Sequence, residues 1–155
     1  IYCEKRVAEN LKTIFNYAFA ENRYPGTPQM ELLHIDGEPF RVKGIEVVPI
    51  RLYHHKLPVY GFRFGKFAYL TDFNRIEGEE LVKLKGVEVL IICALRKSIH
   101  ISHLNLSEAL RLAGEIGPKK TYLTHMSHEM GFYAELAKEL PDGVEPAYDG
   151  LVIEI

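Results

Sequence analysis

The chain has 155 residues, of which 47% are apolar and 26% charged, close to the average of a soluble globular protein. Nineteen basic residues against 21 acidic residues give a net charge of −2, which excludes a basic surface field that would drive sequence-independent binding to nucleic acids or membranes. No apolar run approaches the roughly 18 residues of a membrane-spanning helix, and the N-terminus lacks the pattern of a signal peptide. We therefore expect a cytoplasmic protein with no membrane partner.

The first half of the chain is predicted to be a helix followed by a β-meander. Apolar residues at helical spacing predict an amphipathic helix over residues 4–20. Short β-type runs separated by Asp36-Gly37, Lys43-Gly44 and Gly65-Lys66 predict strands joined by tight turns. These strands are expected at residues 30–35, 40–42, 45–50, 59–64 and 67–71.

The second half alternates between strands and helices. A helix is predicted over residues 78–85, a buried strand over 87–95, a helix over 102–116, a strand over 121–124 and a helix over 129–140. A closing hairpin is predicted from strands 144–148 and 151–155. Cys93 lies in the apolar run, so we expect a core residue there, and the wide separation of Cys3 and Cys93 argues against a disulfide framework or a thiolate metal site. Without a linker or repeat, residues 1–155 are predicted to form one domain.

Histidines and an aspartate follow several predicted strands at the point where each strand ends. In α/β proteins, ligands collect outside the carboxyl ends of strands, where loops vary without disturbing the sheet. Imidazole and carboxylate groups there can bind Zn²⁺ or Mn²⁺, and an aspartate can bridge two such ions. The residues at these ends are His54, His55, Asp72, His100, His103 and His125.

Each of these positions also has an ordinary structural interpretation. A single histidine at a strand end is commonly solvated or hydrogen-bonded, Asp72 can cap a helix or form an Asx turn, and His128 can cap the following helix. His34 and Glu38 lie near a hairpin without catalytic neighbours. No compact ligand motif such as HxH or HExxH occurs, so spacing alone leaves the metal site open.

Five segments together resemble a known family. They are PIRLYHHKLP at 49–58, YLTD at 69–72, SHLNL at 102–106, LTHMSH at 123–128 and YDGL at 148–151. In order and spacing they resemble the C-terminal part of metallo-β-lactamase-fold hydrolases, specifically the PhnP-like phosphodiesterase group. The resemblance covers essentially the whole chain and implies an α/β protein, an αββα sandwich with a two-metal site at one edge of its paired sheets.

The resemblance also implies roles for particular residues. His54 matches the histidine ligand of the first metal, Asp72 the bridging aspartate, and His125 the histidine ligand of the second metal. His103 matches a loop histidine beside the substrate phosphate, which implies a catalytic and substrate-binding role as proton donor or charge stabiliser. His55 and His128 neighbour the matching positions without being ligands, and the role of His100 is left open.

The HxHxDH motif of the family's first half does not occur in the chain. The resemblance therefore implies that residues 1–155 are a single partial domain, the C-terminal portion of a larger hydrolase. Two divalent ions, zinc or manganese, are expected in the intact protein. In this portion each ion keeps about two protein ligands instead of the usual three or four, so we expect absent or weak binding. We also expect a homo-oligomer, or association with the missing N-terminal part.

The implied function is hydrolysis of small, in particular cyclic, phosphodiesters by a water that two metals activate. In that mechanism the hydroxide attacks phosphorus, and His103 stabilises charge or protonates the leaving group. The near-neutral charge disfavours a long nucleic acid as substrate. Two alternatives stay open, a tRNA-processing type nuclease of the same fold and a non-catalytic interaction or dimerisation module.

Overall fold

A computed structural model of the chain describes residues 1–154. The chain forms two compact units, Ile1–Phe40 and Arg41–Ile155. The expectation of one domain over residues 1–155 stays a prediction. Among the described residues, no helix combines the length and the apolar character that crossing a membrane requires.

The first unit contains two short helices and a two-stranded parallel sheet. Its elements are β1 (Tyr2–Cys3), α1 (Lys5–Ile14), α2 (Asn16–Phe19) and β2 (Leu33–His34). The helix predicted over residues 4–20 is interrupted at Phe15, whose backbone (φ −107°, ψ 40°) leaves the helical region before the chain turns again into α2. The strand predicted over 30–35 shrinks to two residues because β1 offers only two partners.

The second unit is built on a mixed sheet. In the sheet the strand order is β10-β9-β8-β6-β5-β4-β3, with β7 pairing with β4 outside that path. The strands are β3 (Phe40–Val42), β4 (Ile45–His54), β5 (Leu57–Phe64), β6 (Phe67–Leu70), β7 (Arg75–Ile76), β8 (Val89–Cys93), β9 (Lys120–Thr124) and β10 (Val144–Pro146). The helices are α3 (Gly78–Leu81), α4 (Leu106–Ile116) and α5 (Tyr133–Glu139), with 3-10 turns at Val82–Leu84 and His128–Met130.

Strand direction decides where the strand ends meet. β4 is antiparallel to β5 and β5 to β6, so β4 and β6 point the same way. β8, β9 and β10 then join β6 in parallel. Five strands therefore present their carboxyl ends at one edge of the sheet, namely β4, β6, β8, β9 and β10.

Several predicted elements differ from the structure at their ends. The helix predicted from residue 102 begins at Leu106, because the side chain of Asn105 caps it. The helix predicted over 129–140 is split at Gly131, whose φ of 93° excludes helical backbone. The closing hairpin is wrong: β10 pairs in parallel with β9, and residues 151–154 form no strand. Residue 155, the end of that prediction, lies outside the described residues.

One face of the sheet packs against the helices and forms the core. The packing places the strand residues Leu52, Leu70 and Leu90 in one cluster with Ala109 and Leu112 of α4 and Leu136 of α5. Cys93 is fully buried in this cluster, which confirms its predicted place in the core. Its thiol donates to the carbonyl oxygen of Phe73 at 3.4 Å, and burial raises the pKa of Cys93.

The opposite face of the sheet carries a row of aromatic and aliphatic side chains in register. Phe62 pairs with Tyr69, Tyr69 with Ile91, and Ile91 with Tyr122 across four neighbouring strands. Tyr69 is 38% exposed and the other three are partly exposed. We call these four residues the aromatic row.

Gly61 lies where the sheet has no space for a side chain. A Cβ there would lie 2.6 Å from Leu70 Cδ2, 2.9 Å from Leu52 Cδ1 and 3.1 Å from the carbonyl oxygen of Tyr69. We expect Gly61→Ala to lower the free energy of unfolding by about 1–3 kcal/mol, measured by urea denaturation.

Gly114 in α4 provides the matched control for that substitution. Nothing lies within 4 Å of a Cβ added to Gly114, so Gly114→Ala should raise the free energy of unfolding by up to about 1 kcal/mol through helix propensity. Equal effects of the two substitutions would contradict the packing argument for Gly61.

Candidate metal centre

The carboxyl ends of the strands bring four predicted site residues into one cluster. His54 is the last residue of β4, Asp72 follows β6 by two residues, and His125 follows β9 directly. His103 lies in the loop between β8 and α4. The topology thus joins residues that are far apart in sequence, as the pattern of strand ends predicted.

One oxygen of Asp72 is the centre of this cluster. Asp72 Oδ1 lies 3.5 Å from His54 Nε2, 3.4 Å from His103 Nδ1 and 3.8 Å from His125 Nε2. His54 Nε2 and His103 Nε2 are 3.3 Å apart. Three imidazole rings therefore surround one carboxylate.

The backbone is left-handed at two of the four residues. Asp72 has φ 59° and His125 has φ 57°, backbone angles that residues other than glycine adopt only occasionally. Such a conformation costs on the order of 1 kcal/mol or more and occurs often at functional sites. His125 comes directly after β9, and Asp72 follows β6 by two residues.

His103 is the most enclosed member of the cluster, with a side chain that is 12% exposed. Burial lowers the pKa of His103, and the imidazoles of His125 and His54 lower it further, while Asp72 acts in the opposite direction. Among residues 1–154 no group forms a hydrogen bond with its buried Nδ1. The lowered pKa favours the neutral form of the ring, whose Nδ1 faces Asp72 Oδ1 at 3.4 Å.

The remaining histidines differ in their relation to the cluster. The His100 ring lies 4.9 Å from that of His103, between centroids, and the backbone N–H of Ser102 donates to His100 Nδ1 at 3.3 Å. His55 and His128 are exposed and contribute no ring to the cluster. His34 and Glu38 belong to the segment 33–40 of the first unit.

The donor set suits a divalent metal. Two ligands of a tetrahedral zinc ion, bound at about 2.0–2.2 Å, are about 3.3–3.6 Å apart. Most separations around Asp72 Oδ1 fall in that range, and one atom each of His54, Asp72 and His103 lie within 4.8 Å of one another. Imidazole nitrogen with carboxylate oxygen fits zinc or manganese. Four donors shared between two ions would leave each ion short of its usual ligand number.

The loop that carries His100 and His103 is anchored at both ends. The backbone N–H of Leu95 donates to the carbonyl of Leu104 at 2.9 Å, which closes the loop, and the N–H of Leu104 donates to the carbonyl of Phe73 at 2.9 Å. Asn105 and Glu108 form a capping box at the start of α4. The position of His103 is thus tied to the residue that follows Asp72.

Sequence reasoning missed Asn74. Its side chain accepts a hydrogen bond from the backbone N–H of His55 at 2.8 Å and donates one to the carbonyl of Ile101 at 3.0 Å. The only sequence signal was an amide two residues after Asp72 at a strand end, where Asn commonly forms local turns. Its two partners are 19 and 27 residues away, so no local pattern could identify them.

Comparison with known proteins finds a family and several relatives. The family model described as "beta-lactamase superfamily domain" matches residues 1–126. Octanoyltransferase of Porphyromonas gingivalis (strain ATCC BAA-308 / W83) is 35% identical over 153 residues, which are 97% of this chain and 31% of that protein. A crystal structure of a diphosphatase from the PhnP family has a TM-score of 0.89 and 32% identity, covering 99% of this chain and 57% of that one.

The short form of human tRNase Z has a similar fold, with a TM-score of 0.68, 21% identity and coverage of 100% of this chain and 67% of that chain. These matches confirm the α/β class and the metallo-β-lactamase type of fold expected from the sequence. The chain spans about a third of the curated relative and somewhat more than half of the PhnP-family structure.

Proposed function

We propose that this chain, which belongs to the β-lactamase superfamily domain family, carries part of the metal site of a hydrolase that cleaves small phosphodiesters. The observation that carries the proposal is the convergence of three imidazoles on Asp72 Oδ1 at 3.4–3.8 Å. The 32% identity to a PhnP-family diphosphatase supports a phosphorus-containing substrate. The superfamily consists of metal-dependent hydrolases, but the bond that is cleaved varies among proteins that share this fold.

In this proposal His54, Asp72 and His125 would hold the divalent ions, zinc or manganese. When bound, such ions would activate water and offset charge on phosphoryl oxygens. His103 contacts the other three side chains, and its lowered pKa favours the neutral ring, in which one nitrogen keeps a proton. In this proposal that N–H would donate to a phosphoryl oxygen or a departing alkoxide.

A small substrate fits the charge of the chain better than a long nucleic acid. The net charge of −2 provides no broad cationic surface that would neutralise many phosphates. A tRNA-processing nuclease is the second candidate, and the similarity to human tRNase Z supports it at the level of fold alone. A non-catalytic interaction module is the third candidate, to which the strained backbone at Asp72 and His125 would bring no benefit.

Acyl transfer, the activity in the name of the Porphyromonas relative, finds less support. A cysteine nucleophile for such a reaction needs an exposed thiol with a lowered pKa. Both cysteines of the chain, Cys3 and Cys93, are buried, and burial raises the pKa of Cys93. The octanoyltransferase aligns with the chain over only 31% of its own length.

The metal part of the proposal is tested by isothermal titration of the chain with Zn²⁺ and Mn²⁺. We expect saturable binding that is weaker than micromolar, because the four donors cannot complete two coordination shells. A sub-micromolar isotherm for two ions would contradict the expected shortage of ligands. No heat of binding at all would contradict the metal site.

The substrate class is tested with a panel assayed in the presence of Mn²⁺. It contains bis-p-nitrophenyl phosphate, a cyclic nucleotide, a lactone and a pre-tRNA. We expect the two small phosphodiesters to be turned over faster than the lactone and the pre-tRNA, at the low rate that a partial metal site allows. Preferential cleavage of pre-tRNA would favour the nuclease instead.

The aromatic row leads to a proposal about partners. Four partly exposed apolar side chains in register form a surface suited to packing against another sheet. We expect the chain to self-associate through this face, or to bind a further polypeptide layer of the same protein. Light scattering of the chain should give a mass above that of a monomer, and Tyr69→Lys should reduce it. A monomer at high concentration with no companion chain would contradict this expectation.

A further inference from the structure

We propose that Asn74 is a positioning residue, which holds the turn after His54 and the loop before His103 in fixed relation to each other. This proposal rests on the proposed function, because the two segments carry His54 and His103 of the proposed metal site. Its evidence is the pair of side-chain hydrogen bonds by which Asn74 joins His55 to Ile101.

The backbone at Asn74 is itself fixed to the sheet. Its N–H donates to the carbonyl of Tyr53 at 2.9 Å, and the next residue, Arg75, pairs with Tyr53 in the β4–β7 ladder. The guanidinium of Arg75 also lies 3.9 Å from the centroid of the Tyr53 ring. The amide of Asn74 therefore extends from a rigid base and not from a free loop.

Both ends of the amide are satisfied, and only one orientation achieves this. The oxygen accepts from the N–H of His55, whereas the nitrogen donates to the carbonyl of Ile101. Rotation of the amide by 180° would turn its NH₂ group towards the N–H of His55 and its oxygen towards the carbonyl of Ile101, so that neither hydrogen bond could form. An asparagine is thus specified here, because aspartate lacks the donor and alanine lacks both groups.

The two partners of Asn74 adjoin the two histidines whose rings meet. His55 follows His54 directly, and Ile101 precedes His103 by two residues. His54 Nε2 and His103 Nε2 are 3.3 Å apart, with their ring centroids separated by 4.7 Å. The same segments line an open groove of about 490 Å³ beside His54. The side chain of Asn74 therefore fixes the distance between His54 and His103 and the position of the segments that line the groove.

The first test uses nuclear magnetic resonance on the metal-free chain. In Asn74→Ala the amide hydrogen of His55 should exchange about five- to tenfold faster, the effect of losing one hydrogen bond. The Overhauser contact between the His54 and His103 rings should weaken. Asn74→Asp should keep the slow exchange at His55, because its carboxylate still accepts, while the ring contact weakens through loss of the donor to Ile101.

A control separates positioning from general loss of stability. Ala113→Gly lies inside α4, away from the cluster, and should lower stability without changing exchange at His55 or the ring contact. Unchanged exchange and an unchanged ring contact in Asn74→Ala would overturn the proposal. So would equal changes in Ala113→Gly.

The second test measures the consequence for metal binding. Asn74→Ala should weaken Zn²⁺ affinity by roughly tenfold, the range typical of residues that orient ligands, and Ala113→Gly should not. Unchanged affinity in Asn74→Ala would overturn the link between Asn74 and the site. If the parent chain bound no zinc, the proposed function would fail, while the metal-free experiment would still decide the role of Asn74.

Discussion

Replacing Asp72 with asparagine is expected to remove metal binding by the chain, with a loss of affinity greater than about 100-fold. Substitution of groups that only orient ligands typically costs 10- to 100-fold, and Asp72 contributes the one oxygen on which three imidazoles converge. Asparagine is chosen because it tolerates the left-handed backbone that Asp72 adopts, so the change removes charge without adding backbone strain.

The effect of the Asp72 substitution is measured by zinc titration together with urea denaturation. Asp142→Asn, which removes an exposed carboxylate beyond α5, is the matched control and should leave the affinity unchanged. Retained zinc affinity in Asp72→Asn would exclude Asp72 as a ligand. If the loss of affinity came from unfolding, the urea denaturation curve of Asp72→Asn would show a lowered free energy of unfolding.

Replacing His103 with alanine is expected to lower kcat on a phosphodiester by about 10²- to 10⁴-fold while the metal content stays the same. The reason is its proposed role, in which the neutral ring donates from one nitrogen to the phosphoryl group or the leaving oxygen. The experiment requires a preparation that turns over bis-p-nitrophenyl phosphate, with metal content determined by emission spectroscopy on the same sample.

The comparison of His103→Ala with Asp72→Asn separates catalysis from metal binding. Equal loss of metal in both variants would show that His103 is a ligand, an arrangement that its position within 4.8 Å of the donors of His54 and Asp72 permits. His55→Asn serves as the control, because the side chain of His55 is exposed, its ring is not part of the cluster, and asparagine tolerates the backbone φ of 57° there. It should leave both kcat and metal content near their original values.

The sequence predicted that His54, Asp72 and His125 lie close together, because each of them follows a predicted strand near the point where it ends. A run of strands that ends in His54, Asp72 and His125 needs only a common direction to bring these side chains together, and the antiparallel meander followed by parallel strands provides it. The roles of the individual residues came from the family resemblance and stay predictions.

Other features could not be predicted from apolar periodicity and turn signals. The break at Phe15 and the start of α4 at Leu106 are set by local caps and backbone angles that apolar periodicity does not register. β10 pairs in parallel with β9 and not with the residues that follow it. The pattern of a three-residue strand does not show which strand it will pair with. The bridge at Asn74 joins three segments and becomes visible only in the folded chain.

The left-handed backbone at Asp72 and His125 has a consequence for protein engineering. A chain optimised for folding alone would carry glycine at both positions, since glycine adopts such angles without a steric penalty. Stabilising substitutions suggested by backbone geometry would therefore erase two of the proposed ligands. A more robust variant that retains the cluster has to gain its stability elsewhere, for example along the exposed side of α4.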